Sequence, residues 1–173
     1  GADAFDFLHK ANFGDPEDVL KRAFEVIDRM SQSGRRTFLW VHFFSITNPY
    51  PKRPAGEVYG SSRIDRYDHN ISYHDHLLRR FQERLRERGL WDKSLLFFFS
   101  DHGEEFGEHG YFYHGQSVYS ELTRVPFLVR IPGAAPVRVP GRTRLLDLTP
   151  TLLDALGIVP PNEFTGRSLL PRV

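Results

Sequence analysis

The sequence contains no cysteine. Disulfides, thiolate metal sites and a cysteine nucleophile are therefore excluded within it. It also lacks any apolar run approaching the ~20 residues needed to cross a bilayer, so no membrane segment is expected. The opening stretch GADAFDFLHKANFGD has the pattern of neither a signal peptide nor a transit peptide. It reads as the interior of a longer chain, and the compartment stays open. An excess of one charge is missing as well: 23 Lys and Arg stand against 22 Asp and Glu, a net charge of +1. Bulk charge thus gives no argument for nucleic acid or an anionic surface as partner. The arginines at 79–80 and 84–88 are interleaved with glutamates on a predicted helix and read as a solvated face. There is no internal repeat, low-complexity tract or linker.

The chain has 173 residues, 40% of them hydrophobic and 26% charged, with 15 phenylalanines. That is enough for one domain, residues 1–173, with an aromatic-rich core. GDPEDVLKRAFEVIDRM predicts a helix: Asp15 caps, Pro16 takes the first position, and Val19, Ala23, Val26, Ile27 and Met30 form its apolar stripe. Thr37 to Phe44, TFLWVHFF, reads as a strand covered on both faces. A long Pro/Gly-rich loop follows, then a helix from about Arg63 to Arg88 with Ile64, Tyr67, Ile71, His74, Leu78, Phe81 and Leu85 on one face and Gly89 as its stop. SSR at 61–63 reads as that helix's N-terminus. SLLFFFS (94–100) predicts a buried strand, SVYSELTR a short helix, VPFLVRI a further strand. RTRLLDLTPTLLDALG predicts a helix capped by Thr149, with Pro150 in its first turn and Gly157 at its end. Helices alternating with two-sided strands predict an α/β fold with a mostly parallel sheet.

In such sheets, sites form beyond the carboxyl ends of strands. Asp101 and His102 stand there, one residue beyond Phe97-Phe98-Phe99. A carboxylate and an imidazole are good ligands for manganese, zinc or iron, and Gly103 offers a sharp turn that lets them converge. A turn with a helix cap explains Asp-His-Gly equally well. Glu104, Glu105, Glu108, His109 and His114 follow closely, too many for all to be ligands. His109 reads as a loop hydrogen-bonder. His114 either packs on neighbouring tyrosines or donates a hydrogen bond to an anion.

The stretch SDHGEEFGEHGYFYHGQSVYSELTRVPFLVRIPG resembles the C-terminal metal-site segment of the sulfatases, within the alkaline-phosphatase-like superfamily. TFLWVHFFSITNPYPKRP, YDHNISYHDHLLRRFQERLRERGLWDKSLLFFFSDHG and LLDLTPTLLDALGIVPPNEFTGRSLLP resemble the flanking family segments in the same order, so the resemblance runs from about Thr37 to Pro171. It implies an alkaline-phosphatase/sulfatase-like partial domain in which Asp101 and His102 bind one divalent ion: manganese, zinc or calcium. Histidine at 102, where typical sulfatases have asparagine, resembles the phosphonate monoester hydrolase and lipoteichoic-acid-synthase-like branches and favours manganese or zinc. His114 holds the place where many relatives put a lysine against the transferred group, which implies a catalytic and substrate-binding role. Thr47 replaces the histidine that would touch the substrate anion. Ser45 and Pro49 stand where two-zinc relatives need aspartate and histidine, which implies a single-ion site.

The family's first half carries an aspartate pair and the nucleophile, in a Cys/Ser-x-Pro-x-Arg context. This sequence has no such motif, so no nucleophile is assigned in it and the missing N-terminal half of the domain is expected to be its partner. The implied reaction is hydrolysis of a sulfate ester. Alternatives are hydrolysis of a phosphonate or phosphodiester, phosphoryl transfer, and a non-catalytic remnant that keeps the fold.

Overall fold

The computed structural model describes residues 14–170. Readings that fall on residues 1–13 and 171–173 lie outside the described residues. The chain divides into two compact units, Gly1–Lys93 and Ser94–Val173.

The first unit is built on two helices. Helix α1 (Pro16–Ser33) starts as its sequence dictates: the Asp15 carboxylate accepts from the Glu17 amide at 3.0 Å, and Pro16 opens the first turn. Helix α2 (Arg63–Glu87) opens on a capping box in which Ser62 and Asp65 each accept from the other's backbone amide. Leu20 of α1 packs with Tyr73 and Leu77 of α2, and Phe24, Phe43, Ala55 and Phe81 close around them.

Three of the arginines expected to form a solvated face, Arg80, Arg84 and Arg88, instead reach across to α1. Arg80 binds Glu17 at 2.6 Å, and Arg84 and Arg88 both bind Asp28. Partly exposed pairs of this kind add little stability each.

The inner face of α2 also differs from the expected stripe. Ile64 and Ile71 are exposed, while His69, Asn70, Tyr73, His74 and Leu77 are buried. What covers that face is the loop 45–62, whose backbone polar groups need partners that an apolar stripe cannot give. Asn70 donates to the carbonyls of Pro51 and Arg66 and accepts from Arg53 Nε at 2.6 Å. The Arg53 amide donates to His69 Nε2 at 3.1 Å. Ser45 Oγ lies 2.7 Å from His74 Nε2, and His74 Nδ1 lies 2.7 Å from the Asn70 carbonyl. The carbonyl can only accept, so Nδ1 carries the proton and Nε2 accepts from Ser45. Burial holds His74 below its usual titration range, against the pull of the Asn70 carbonyl.

The expected two-sided strand at 37–44 has no ladder partner among the described residues, and Phe38, Trp40 and Phe44 are each at least half exposed.

In the second unit, β1 (Leu96–Phe99) pairs antiparallel with β4 (Phe127–Arg130), from Leu96 opposite Arg130 to Phe99 opposite Phe127. A small hairpin lies between them: β2 (Glu105–Phe106) pairs antiparallel with β3 (Phe112–Tyr113). It is followed by the one-turn helix α3 (Ser120–Thr123). Both pairings among the described residues are antiparallel, so the expected parallel sheet is not observed. A parallel neighbour needs a full crossover, usually a helix of several turns, and the hairpin with one helical turn between β1 and β4 is no such connection. Phe97 and Phe99 pack on Phe127, but Phe98 and its ladder partner Leu128 face outward and are exposed. The strand is covered on one face rather than two.

Helix α4 (Leu148–Ala155) continues directly from a 3-10 turn at Leu145–Asp147. Thr149 therefore lies inside the helix rather than capping it, while Gly157 ends it at φ +70°. Asp147 and Thr151 turn toward the segment after the helix. Asp147 is buried and accepts from the amides of Arg144 (2.9 Å) and Arg167 (3.0 Å). Thr151 Oγ1 accepts from the Leu169 amide at 3.0 Å. At Gly166 a Cβ would lie 1.9 Å from the Leu146 carbonyl oxygen, so only glycine fits. The run LLDLTPTLL with GRSLL is thus a latch between a helix start and a returning strand-like segment.

Candidate active site

Strand β1 ends at Phe99 and delivers Ser100, Asp101 and His102 to its carboxyl end. Ser100 Oγ donates to the His102 carbonyl at 2.7 Å, and Asp101 Oδ1 accepts from the His102 amide at 3.0 Å. His102 Nδ1 lies 2.8 Å from the Gly103 carbonyl oxygen. A carbonyl only accepts, so Nδ1 holds the proton and Nε2 presents its lone pair. That Nε2 lies 3.9 Å from Asp101 Oδ1, and both side chains are solvent-accessible. Ligand atoms on a zinc-sized ion stand roughly 3.0–3.4 Å apart, given bonds near 2.1 Å. The pair therefore fits a divalent ion with a small closing movement. It offers one oxygen and one nitrogen, a part of a ligand set.

Gly103 holds this loop down in a way different from the expected sharp turn. Its amide donates to the Leu122 carbonyl at 2.8 Å, and a Cβ would lie 2.0 Å from the Glu121 carbonyl oxygen. The glycine permits close approach to α3; its φ is not in the left-handed region.

The β2–β3 hairpin returns the chain to Asp101-His102. Tyr113 takes a left-handed φ of +74° as the strand ends. The next residue, His114, stacks its ring on His102, with centroids 4.1 Å apart and planes at 29°. His114 Nδ1 lies 3.0 Å from Oε1 of the buried Glu104. The carboxylate accepts, so Nδ1 is protonated and Nε2 faces outward as the second polar atom. Offering an N–H from Nε2 to an anion requires the doubly protonated ring, which the Glu104 carboxylate beside it would pair.

Asp101, His102 and His114 are thus brought together. Thr47 lies in the other unit. There its carbonyl accepts from the Tyr50 amide at 2.9 Å in a turn with a cis Asn48-Pro49 bond, the type VI arrangement. Glu108 serves its own loop: the Phe106 amide donates to it at 2.6 Å and holds its carboxyl below the usual range. The sequence reading missed Glu104 as the group that orients His114. The only signal for it was one glutamate among several, with nothing local to single it out. His109, expected to be a hydrogen-bonder, stacks on Tyr119 at 3.7 Å between centroids.

Comparison with known proteins now places the chain. Phosphonate monoester hydrolase SpPMH from Silicibacter pomeroyi superposes with a TM-score of 0.56 and 33% identity, over 62% of this chain and 21% of that one. This is the class of alkaline-phosphatase-like α/β hydrolases. The sulfatase family model matches residues 3–158, and the chain belongs to the sulfatase family. Arylsulfatase K of Bos taurus is 42% identical over 88 residues, covering 50% of this chain and 16% of the relative. The multifunctional alkaline phosphatase superfamily protein PehA of Trinickia caryophylli is 38% identical over 101 residues, covering 56% of this chain and 19% of the relative. The chain thus matches less than a quarter of the length of each of these three proteins.

Proposed function

We propose that this chain supplies the ion- and anion-facing part of a sulfatase-like active site that hydrolyses sulfate esters. The observation that carries the reading is the juxtaposition of Asp101 Oδ1 and His102 Nε2, 3.9 Å apart, with His114 stacked on His102. Asp101 and His102 would hold a divalent ion, with manganese or zinc favoured over calcium by the imidazole nitrogen. When bound, such an ion supplies Lewis-acid polarisation of the ester oxygens. The chain's own residues do the rest of what is assigned here. The Gly103 carbonyl fixes the tautomer of the His102 ring, which leaves the Nε2 lone pair as the donor that would hold the ion. Glu104 orients His114, whose Nε2–H binds an ester oxygen and positions the group for in-line attack. The nucleophile is assigned to the N-terminal half of the family's domain.

A second reading, hydrolysis of phosphonate monoesters or phosphodiesters, is favoured by His102 itself and by the likeness to the phosphonate monoester hydrolase. Both readings are tested on the natural full-length gene product with an aryl sulfate and an aryl phosphonate monoester after metal loading. Preferential sulfate cleavage supports the first and preferential phosphonate cleavage the second. In either case Asp101→Ala is expected to lower kcat/KM by 10³-fold or more, and His114→Ala by roughly 10²-fold. Failure to cleave either ester would sink the reading and leave a non-catalytic module, and an unaffected Asp101→Ala variant would sink the assignment of the site to Asp101 and His102.

A further inference from the structure

A second group of ligand-type atoms lies behind the hairpin, and no role assigned above uses it. Glu105 sits in β2 and is 1% exposed. Its Oε2 accepts from Ser117 Oγ at 2.9 Å, but its Oε1 is buried and has no hydrogen-bond partner. That orphaned oxygen is aimed at His109 Nδ1, 3.8 Å away, which in turn lies 3.7 Å from Glu121 Oε2 on α3. Glu105, His109 and Glu121 each offer one ligand atom, all within 4.8 Å of one another.

These separations are too long for hydrogen bonds, so direct contact leaves the buried oxygen unsatisfied. The two distances to His109 Nδ1 are slightly longer than the roughly 3.4 Å between ligand atoms on a tetrahedral zinc, and the two carboxylates lie within 4.8 Å of each other. A cation among them would satisfy all three groups at once. The imidazole is already set in place by its stack on Tyr119, with planes at 13°. The side chains of His109 and Glu121 are 37% and 27% exposed, so one side of the group is open to water.

We propose that Glu105 Oε1, His109 Nδ1 and Glu121 Oε2 bind a divalent first-row cation of the zinc class, at a site separate from Asp101 and His102. Two carboxylates and one imidazole with a water in the fourth position is a zinc-compatible donor set. Its role is structural. It ties the hairpin, through Glu105 and His109, to α3, through Glu121. Helix α3 is also the element on which Gly103 rests, so the cation stiffens the loop that carries Asp101 and His102. The site does not depend on the sulfatase reading, because none of its ligands takes part in it.

The test uses the 173-residue chain with Asp101→Ala and His102→Ala in place, so that binding at the first site is removed. Zn²⁺ is titrated by calorimetry, and Co²⁺ is used as a visible-absorption probe of nitrogen-containing, low-coordinate binding. The expected result is one equivalent of Zn²⁺, a cobalt d–d band, and a raised melting temperature. His109→Ala, at an exposed position, and Glu105→Gln, which keeps the Ser117 hydrogen bond, should each weaken binding tenfold or more with an unchanged far-ultraviolet spectrum. No bound equivalent in the double-variant background overturns the proposal. So does binding that survives both His109→Ala and Glu105→Gln.

Discussion

Asp147 shows how a single residue can look like chemistry and serve structure. It sits in the segment that resembles the family's Asp-Leu-x-Pro-Thr helix, yet its carboxylate is buried and spent on two backbone amides and the Arg144 guanidinium. Burial opposes its ionisation, but the amides of Arg167 and Arg144 outweigh that and hold the carboxyl below its usual range. Because the folded-state pKa is depressed, its contribution is fully present above the unfolded value near ~3.9 and is lost as pH falls through the lower folded value. Asp147→Ala leaves two amides short of partners and should cost roughly 2–4 kcal/mol, read as a lower urea midpoint at pH 7. The difference between wild type and variant should shrink below about pH 4. Asp101 and His102 differ from Asp147 in kind: their side chains are accessible, with Asp101 Oδ1 and His102 Nε2 3.9 Å apart. Residue types alone do not separate the two cases; what each oxygen touches does.

At the scale of elements, position comes from close backbone contact. The turn after β1 is pressed on α3 by Gly103, whose absent side chain leaves room for the Glu121 carbonyl. Gly103→Ala should therefore displace either the turn or α3 and cost about 1–3 kcal/mol as overpacking does. Thermal melting and the tryptophan-independent near-ultraviolet signal of the surrounding tyrosines would both report it. The proposed ion site at Asp101-His102 should also weaken by more than the stability loss alone explains, since that turn carries both residues. Helix α2 carries the same lesson in another form. Its start and its length were legible, because the SSR at 61–63 and Gly89 are local signals; the capping box of Ser62 with Asp65 was not. Part of its inner face was not legible either, because beside the apolar contacts of Tyr73 and Leu77 with α1 the loop 45–62 brings carbonyls and amides that His69 and Asn70 must satisfy.

At the scale of the whole molecule, family membership rests on a long ordered match, and the chain covers only a small share of its relatives. Several apolar faces stay open. Phe38, Trp40 and Phe44 in the first unit, and Phe98 beside Leu128 in the second, are all more than two-fifths exposed. Patches of this kind favour association. The chain by itself is expected to enhance the fluorescence of an apolar-surface dye and to scatter light increasingly with concentration. Phe38→Ser with Trp40→Ser should reduce both signals. Among the described residues no helix is long and apolar enough to cross a membrane.

The amino-acid sequence by itself determined where helices α1 and α2 begin and stop, where strands β1 and β4 lie, and which family the chain resembles. Caps, apolar runs and ordered motifs are properties of neighbouring residues, and they survive without a third dimension. Only the tertiary structure decided that the strand pairings among the described residues are antiparallel and that Thr37–Phe44 joins no ladder among them. It alone decided that His114 stacks on His102 and that Glu105 hides an unpartnered oxygen beside His109 and Glu121. Those outcomes depend on which distant groups meet and what each leaves unsatisfied, and residue order does not encode that locally.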